Sequence, residues 1–290
     1  MKSKIKNSKF LKTLYALIIV ILGYVTIQFG EDGINIIFSI PDESTLVEDH
    51  VVILDVGQAD SAVIASGGQI CLIDAGSTED GKTDAVTYLE GIGATKIDLM
   101  VITHFHTDHT SDVLDVMNRF AVDTIIIPNL TKENTPTTSF FKKFLNKVEE
   151  QKIHLVPAEK GDVYYIGNGT LTILDDTHND LGVNSTSVAT LFKQGDFTFL
   201  NTGDGEKEYE ARLLKVFSEK VTLFAAGHHG SSTSNTNALL TAINPDYMAI
   251  SCGEDNEYGH PHREVISLIK EKNIPYNITF EKGTLVYSIN

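Results

Sequence analysis

The run "IDLMVIT", residues 97 to 103, is strand-length and almost unbroken in its apolar character. Such a run suits a strand covered on both faces, so it demands one layer of structure above it and another below. It passes directly into "HFHTDH", which sets three of the chain's ten histidines and an aspartate within six positions. Two readings of that cluster compete: a solvated polar loop that happens to be rich in histidine, or a preformed cage for metal ions. His104 and His106, two residues apart on an extended loop, can both point into one cavity. Asp108 and His109 are adjacent and must diverge, which suits serving a second ion. Imidazole and carboxylate donors favour Zn²⁺, Mn²⁺ or iron.

Alternating elements surround this point. "VVILDV", "SAVIAS" and "ICLIDAG" read as short strands parted by turns, an antiparallel opening. "TDAVTYLEGIG" fits a helix with Thr83 as its N-cap. Beyond the histidines come helix "SDVLDVMNRF", strand "VDTIIIP" and the amphipathic helix "TSFFKKFLNKVEEQK". The strands "IHLVPA", "DVYYIG", "LTILDD", "TSVATLFKQ" and "FTFLNTGD" follow, the last two joined by a tight turn at "QGD". The tail alternates helix and strand through "EKEYEARLLKVF", "VTLFAAG", "NALLTAI", "DYMAIS" and "REVISLIKEK", and closes on a hairpin-like end. The pattern predicts an α/β protein in which two sheets pack face to face with helices outside, an αββα sandwich. Cys71 and Cys252 lie in apolar strand-like runs and read as buried free thiols.

The start of the chain is different in kind. Five lysines within the first twelve residues precede the uncharged stretch Leu14 to Phe29, and no acidic residue occurs before Glu31. This is the plan of a signal peptide or signal anchor. Bulky residues stand where a signal peptidase needs small ones, so an uncleaved anchor over residues 1–30 is the expectation, with secretion after cleavage as the alternative. Residues 31–49 read as an acidic linker and 50–290 as the folded domain. The positive-inside rule puts the large domain outside the cell membrane. Beyond residue 30 the chain holds all 39 acidic residues and 18 basic ones, a formal charge of −21. Such a domain lacks the basic footprint of a general nucleic-acid binder, although bound cations would offset this locally.

"THFHTDH" resembles the HxHxDH signature of the metallo-β-lactamase superfamily. "LDVGQADSAVI", "ICLIDAG", "NSTSVATL", "FTFLNTGD", "AAGHHGSSTSN" and "NEYGHPHREVI", in that order, are similar to the C-terminal hydrolase-like domain of ComEC-type competence proteins over roughly residues 50 to 290. The resemblance implies an αββα fold with two divalent metal ions, Zn or Mn, between its sheets. Carried over by position, His104 and His106 hold one metal, Asp108 and His109 the other, and Asp204 of "TGD" bridges them. Read alone, Asp204 could equally cap the helix that follows. Four later histidines compete for the last ligand position. By the family's pattern His228 or His229 contacts the scissile group or protonates the leaving oxygen, His260 closes the second metal, and His262 supports the site. Asp108, His228 and His229 are thus the catalytic candidates, with Asn184, Ser231 and His262 as substrate-binding candidates.

Two departures stand out. Many family members place a histidine where this chain has Asn184, and His178 lies six residues earlier; a first metal site with fewer protein ligands follows. Ser111 and Asp112 occupy positions where glycines are common in the family. No GxSxG elbow or GxGxxG is present. The expected function is a membrane-anchored hydrolase acting on a phosphodiester or related ester through a metal-held hydroxide, its substrate a small phosphoester or a nucleic acid. The alternative is a non-enzymatic, metal-stabilised module in DNA uptake or envelope assembly. "HHGS" and "GHPH" do not fit a β-lactam hydrolase.

Overall fold

The computed structural model describes residues 48–78, 80–175 and 182–289. The anchor expected over residues 1–30, nearly all of the linker and His178 lie outside them. Among the described residues no helix is long and apolar enough to cross a membrane.

Two seven-stranded sheets form the centre. The first half of the chain supplies β1 (His50–Ile53), β2 (Ala62–Ser66), β3 (Gln69–Ile73), helix α1 (Ala85–Gly91), β4 (Lys96–Val101), the short helix α2 (Thr107–Thr110), α3 (Val113–Arg119), β5 (Ala121–Ile127), α4 (Ser139–Gln151) and β6 (His154–Pro157). The second half supplies β7 (Val163–Ile166), β8 (Gly169–Asp175), β9 (Ala189–Gln194), β10 (Phe197–Asn201), α5 (Lys207–Leu213), β11 (Leu223–Ala225), α6 (Asn237–Ile243), β12 (Tyr247–Ile250), α7 (Arg263–Glu271), β13 (Tyr276–Ile278), α8 (Thr279–Lys282) and β14 (Leu285–Ser288). The strand orders are β14-β1-β2-β3-β4-β5-β6 and β13-β12-β11-β10-β9-β8-β7.

Alternation along each strand builds three apolar layers. On β3, Cys71 and Ile73 point between the sheets with Leu99, Val101, Phe192 and Phe199. Their neighbours Ile70 and Leu72 point outward onto Leu89 of α1, Val116 of α3 and Phe144 of α4. In the second sheet Leu200, Met248 and Ile250 pack outward onto Leu213, Leu240 and Ile269 of α5, α6 and α7. Each fully buried leucine or phenylalanine in these layers contributes about 1.5–3 kcal/mol. The αββα sandwich expected from the strand and helix pattern is therefore present, and both cysteines are free and buried.

Two local expectations are corrected. Asp84, not Thr83, caps α1, because its carboxylate accepts from the Thr87 N–H at 2.7 Å. The chain does not end in a hairpin. β13 pairs parallel with β12, whereas β14 crosses to the other sheet and pairs antiparallel with β1. The turn of α8 makes the crossing, so the last two strands never meet.

What the topology does for function is to align strand ends. β3, β4 and β5 run parallel, as do β10, β11 and β12. The segments leaving β3, β4, β10, β11 and β12 carry the residues that converge at the site described next. Loops at the carboxyl ends of parallel strands are the usual location for function in open α/β sheets.

Candidate metal centre

The strand β4 delivers His104 to a fully buried position, and His106 begins the turn of α2. His104 Nε2 lies 3.0 Å from His106 Nδ1. The adjacent Asp108 and His109 sit on one helical turn and so diverge by roughly 100°. His109 is buried, while the Asp108 side chain faces a cleft at 34% exposure.

Asp204 follows β10 and is 1% exposed. The residue capping α5 is Glu206, so Asp204 has no capping role. Its backbone N–H donates to Ser187 Oγ at 3.0 Å, which fixes where the carboxylate points. Oδ1 is 3.1 Å from His109 Nε2, and Oδ2 is 3.6 Å from both His104 Nε2 and His228 Nε2. One carboxylate thus faces imidazoles from three directions.

The late histidines separate by position. His229 is 1% exposed; its Nε2 is 3.3 Å from Asp108 Oδ2 and its Nδ1 donates to the Ser251 carbonyl at 3.1 Å. His228 is more exposed and its Nδ1 meets Thr233 Oγ1 at 3.1 Å. His260 is on the cleft wall, with Nδ1 accepting from Gln58 Nε2 at 3.3 Å. His262 ties two loops together, Nδ1 accepting from the Ser232 N–H and Nε2 donating to the Tyr258 carbonyl. Ser231 is buried and its Oγ accepts from the Thr233 N–H. Neither Ser231 nor His262 lines the cleft, whereas Asn184 does, its amide 3.4 Å from Glu206 Oε1.

Two donor groups result. His104, His106 and Asp204 form one, and Asp60, His109, Asp204 and His229 form the other, with donor atoms in each within 4.8 Å of one another. His109 Nε2 and Asp204 Oδ1 are buried 3.1 Å apart in contact with each other, yet neither makes an aligned hydrogen bond. Unpartnered buried polar atoms are costly, and a divalent cation between them would satisfy both. An imidazole and carboxylate donor set of this kind fits Zn²⁺, Mn²⁺ or iron.

Two acids in the site carried no clear signal of their own in the sequence. Asp74, the aspartate of "LIDAG", is 1% exposed. Its Oδ2 accepts from His109 Nδ1 at 2.7 Å, and its Oδ1 from the Thr103 N–H at 2.7 Å. This fixes the tautomer of His109 and leaves Nε2 facing Asp204. Removing such a partner typically lowers metal affinity 10- to 100-fold. Asp74→Ala is accordingly expected to weaken Zn²⁺ binding by about that factor, measured by competition with a chromophoric chelator; unchanged affinity would dismiss the role. Asp60, from "VGQAD", has Oδ2 3.7 Å from His229 Nδ1.

The charges interlock. Burial alone would neutralise His109, but Asp204 and Asp74 hold it well above the ordinary imidazole value. Burial would likewise favour a protonated Asp204, yet His109 and His104 keep it well below the ordinary carboxylate value. Burial and the neighbouring His109 push His104 well down. Burial raises Asp60 to about 6 against the pull of His229 and His109. Against its own burial, His229 is lifted to about 9 by Asp60 and Asp108.

The cleft above these groups encloses about 790 Å³. Its lining includes Asp80, Asp108, Asp204, Glu254, Asp255 and Glu257 and, among the described residues, no lysine or arginine.

A chain with this sandwich and this histidine–aspartate centre belongs to the metallo-β-lactamase superfamily, whose family model matches residues 54–254. Its relatives are competence proteins of the ComEC type, as the ordered motifs imply. ComE operon protein 3 of Bacillus subtilis (strain 168) is 26% identical over 259 residues, 83% of this chain and 33% of that protein. Competence protein ComA of Neisseria gonorrhoeae is 24% identical over 244 residues, 83% of this chain and 32% of that one. The chain spans about a third of the length of these curated relatives. Among solved structures, CmlA, a diiron β-hydroxylase from Streptomyces venezuelae, aligns with a TM-score of 0.57 at 15% identity, covering 83% of this chain and 54% of that one. Zinc-bound PqqB from Methylobacterium extorquens aligns with a TM-score of 0.55 at 10% identity, covering 83% and 100%. At those identities the likeness is one of fold.

Proposed function

We propose that this chain is a metal-dependent hydrolase of a phosphodiester or related ester, anchored in the cell membrane through residues 14–29 with the domain from residue 50 outside. The observation that carries the hydrolase reading is Asp204, a buried carboxylate whose two oxygens face separate donor groups.

In this reading His104, His106 and Asp204 would hold one ion and His109, Asp204 and His229 the other, with Asp108, whose Oδ2 is 3.3 Å from His229 Nε2, completing that set. His229 takes the closing position that the motif order alone would give to His260. What supports the exchange is that His229 lies in the donor group with His109 and Asp204, while His260 is hydrogen-bonded to Gln58 on the cleft wall. Zn²⁺ or Mn²⁺ held there would act as a Lewis acid and lower the pKa of water. Asp74 and the Ser251 carbonyl keep His109 and His229 in fixed tautomers with Nε2 turned inward. His228, partly exposed and hydrogen-bonded through Nδ1 to Thr233, would in this reading give a proton to the leaving oxygen. Asn184 and His260 border the cleft where a substrate would lie.

The acidic lining favours a small phosphoester over a long polyanion, since nucleic-acid binding draws on lysine and arginine contacts to phosphates. A nucleic-acid substrate is the second reading, favoured by the competence relatives. The test is hydrolysis of bis-(p-nitrophenyl) phosphate by the purified full chain with Zn²⁺ or Mn²⁺, run beside a single-stranded oligonucleotide and a His106→Ala variant. The variant is expected to lose on the order of a hundredfold, about 2.7 kcal/mol of barrier. Equal rates in both proteins would sink the enzyme reading and leave a metal-stabilised binding module. Cell fractionation tests the anchor: intact protein wholly in the soluble fraction would overturn it.

A further inference from the structure

We infer that Glu210 and Asn235 are positioning residues that hold the two-histidine loop, residues 227–231, in the conformation that brings His228 and His229 to the centre. That loop is built against its own preferences. His228 (φ 51°, ψ 50°) and His229 (φ 54°, ψ 24°) are both left-handed, and Gly230 continues at φ 82°. Residues with a Cβ adopt this backbone only where surrounding structure over-determines it. Gly230 also abuts Pro261, and a Cβ there would come within 2.7 Å of the proline ring.

Backbone bonds from His228 N–H to the Gly203 carbonyl and from His262 N–H to the Gly230 carbonyl hold the middle of the loop, and one side-chain amide joins its two ends. Asn235 Oδ1 accepts from the Gly227 N–H at 3.0 Å, while its Nδ2 donates to the Gly227 carbonyl at 2.8 Å and the Ser231 carbonyl at 3.1 Å. Both ends of the loop are therefore clamped by a single residue. Asn235 is 1% exposed and itself left-handed at φ 58°. It is held in turn by Glu210, which is fully buried. Glu210 Oε1 accepts from the Asn235 N–H at 2.5 Å, and Oε2 from the Thr236 N–H at 2.9 Å.

Glu210 lies on α5, the helix that begins just after Asp204. Two further bonds reinforce the link: Ser234 Oγ donates to the Gly205 carbonyl and the Lys207 N–H to the Thr233 carbonyl. The segment that presents the shared carboxylate thus also sets the two histidines. Glu210 and Asn235 touch none of the candidate donor atoms and act through the backbone.

The functional consequence rests on the roles proposed above for His228 and His229, but the conformation of the loop does not, and the two are read separately. The full chain, labelled with ¹³C,¹⁵N-histidine, is compared as wild type, Asn235→Ala, Asn235→Asp, Glu210→Gln and Phe144→Leu. The last is a control for general destabilisation, because Phe144 packs in the outer layer of the first sheet whereas the two-histidine loop follows β11 of the second. In metal-free protein the Cα shifts of His228 and His229 report the left-handed backbone directly. They are expected to move in Asn235→Ala and Glu210→Gln, to move less in Asn235→Asp, which keeps the acceptor for Gly227, and to stay in place in Phe144→Leu. Chelator competition with Zn²⁺ is expected to show about tenfold weaker binding in Asn235→Ala and Glu210→Gln than in the wild type. Unchanged histidine shifts in folded Asn235→Ala, or in Glu210→Gln where the alanine variant does not fold, overturn the assignment. A wild type without hydrolytic activity would end the enzyme reading yet leave the shift comparison decisive for the loop.

Discussion

Hydrolysis by an Asp204→Asn variant is expected to fall by on the order of a thousandfold, about 4 kcal/mol of barrier, with loss of bound metal. Asparagine matches aspartate in shape but offers one acceptor oxygen and one donor nitrogen. The native carboxylate presents Oδ1 to His109 and Oδ2 to His104 and His228. In the variant an amide N–H must face one of these sides, so one donor group loses its oxygen whichever way the amide turns. The negative charge that holds His109 above its ordinary value is lost as well. Metal content per chain separates this from His106→Ala: the aspartate serves both groups and the histidine one, so asparagine should weaken both sites, one by the lost oxygen and the other by the lost charge. A variant that keeps two ions and stays within tenfold of the wild-type rate would show that Asp204 does not bridge.

The second large effect is structural and comes from a residue with no side chain. Gly76→Ala is expected to destabilise the domain by about 3 kcal/mol, through overpacking at a point that cannot relax. For a domain of this size that is a fall in Tm of about 6–12 °C. A Cβ at position 76 would lie 1.6 Å from the Asp108 carbonyl oxygen, where ordinary contact is 3.4 Å or more. Neither segment is free to withdraw. The Gly76 N–H donates to the Asp60 carbonyl at 2.9 Å, the Asp60 N–H to the Asp108 carbonyl at 2.9 Å, and the Ala75 N–H to the His109 carbonyl at 3.0 Å. Parting the two loops breaks that lattice and carries Asp108 and His109 away from Asp204. Thermal unfolding with and without Zn²⁺ checks both halves: lower Tm, and little of the stabilisation that metal gives the wild type. A Tm within 2 °C of wild type would mean the loops separate easily.

The centre was legible where its residues are contiguous or follow an ordered motif. His104, His106, Asp108 and His109 stand together after an apolar strand, and Asp204 ends another. Asp74 was not legible as a partner of His109, because 35 residues separate them and only the parallel pairing of β3 with β4 brings them together. Asp60 was hidden in the same way, inside a motif that reads as an opening strand and turn. The order of His228, His229 and His260 along the chain does not say which imidazole reaches inward. That is decided by two left-handed residues and the amide that clamps them, neither of which has a periodicity to detect. The layered architecture came through alternation, while the end of the chain did not. Two strands of three and four residues separated by a short turn look like a hairpin, and only their partners in opposite sheets reveal the crossing.

That crossing sets a timetable for folding. The first strand of the domain completes its hydrogen bonding with the last, His50 opposite Ser288. A ribosome adding about 5–20 residues per second takes roughly 10–50 s between making the two. Throughout that interval β1 presents an open, apolar edge, the kind of edge that recruits strands from other chains. Closure over so long a separation also makes for slow folding. Until its final residues arrive, the first strand of such a chain has no β14 to pair with on that edge.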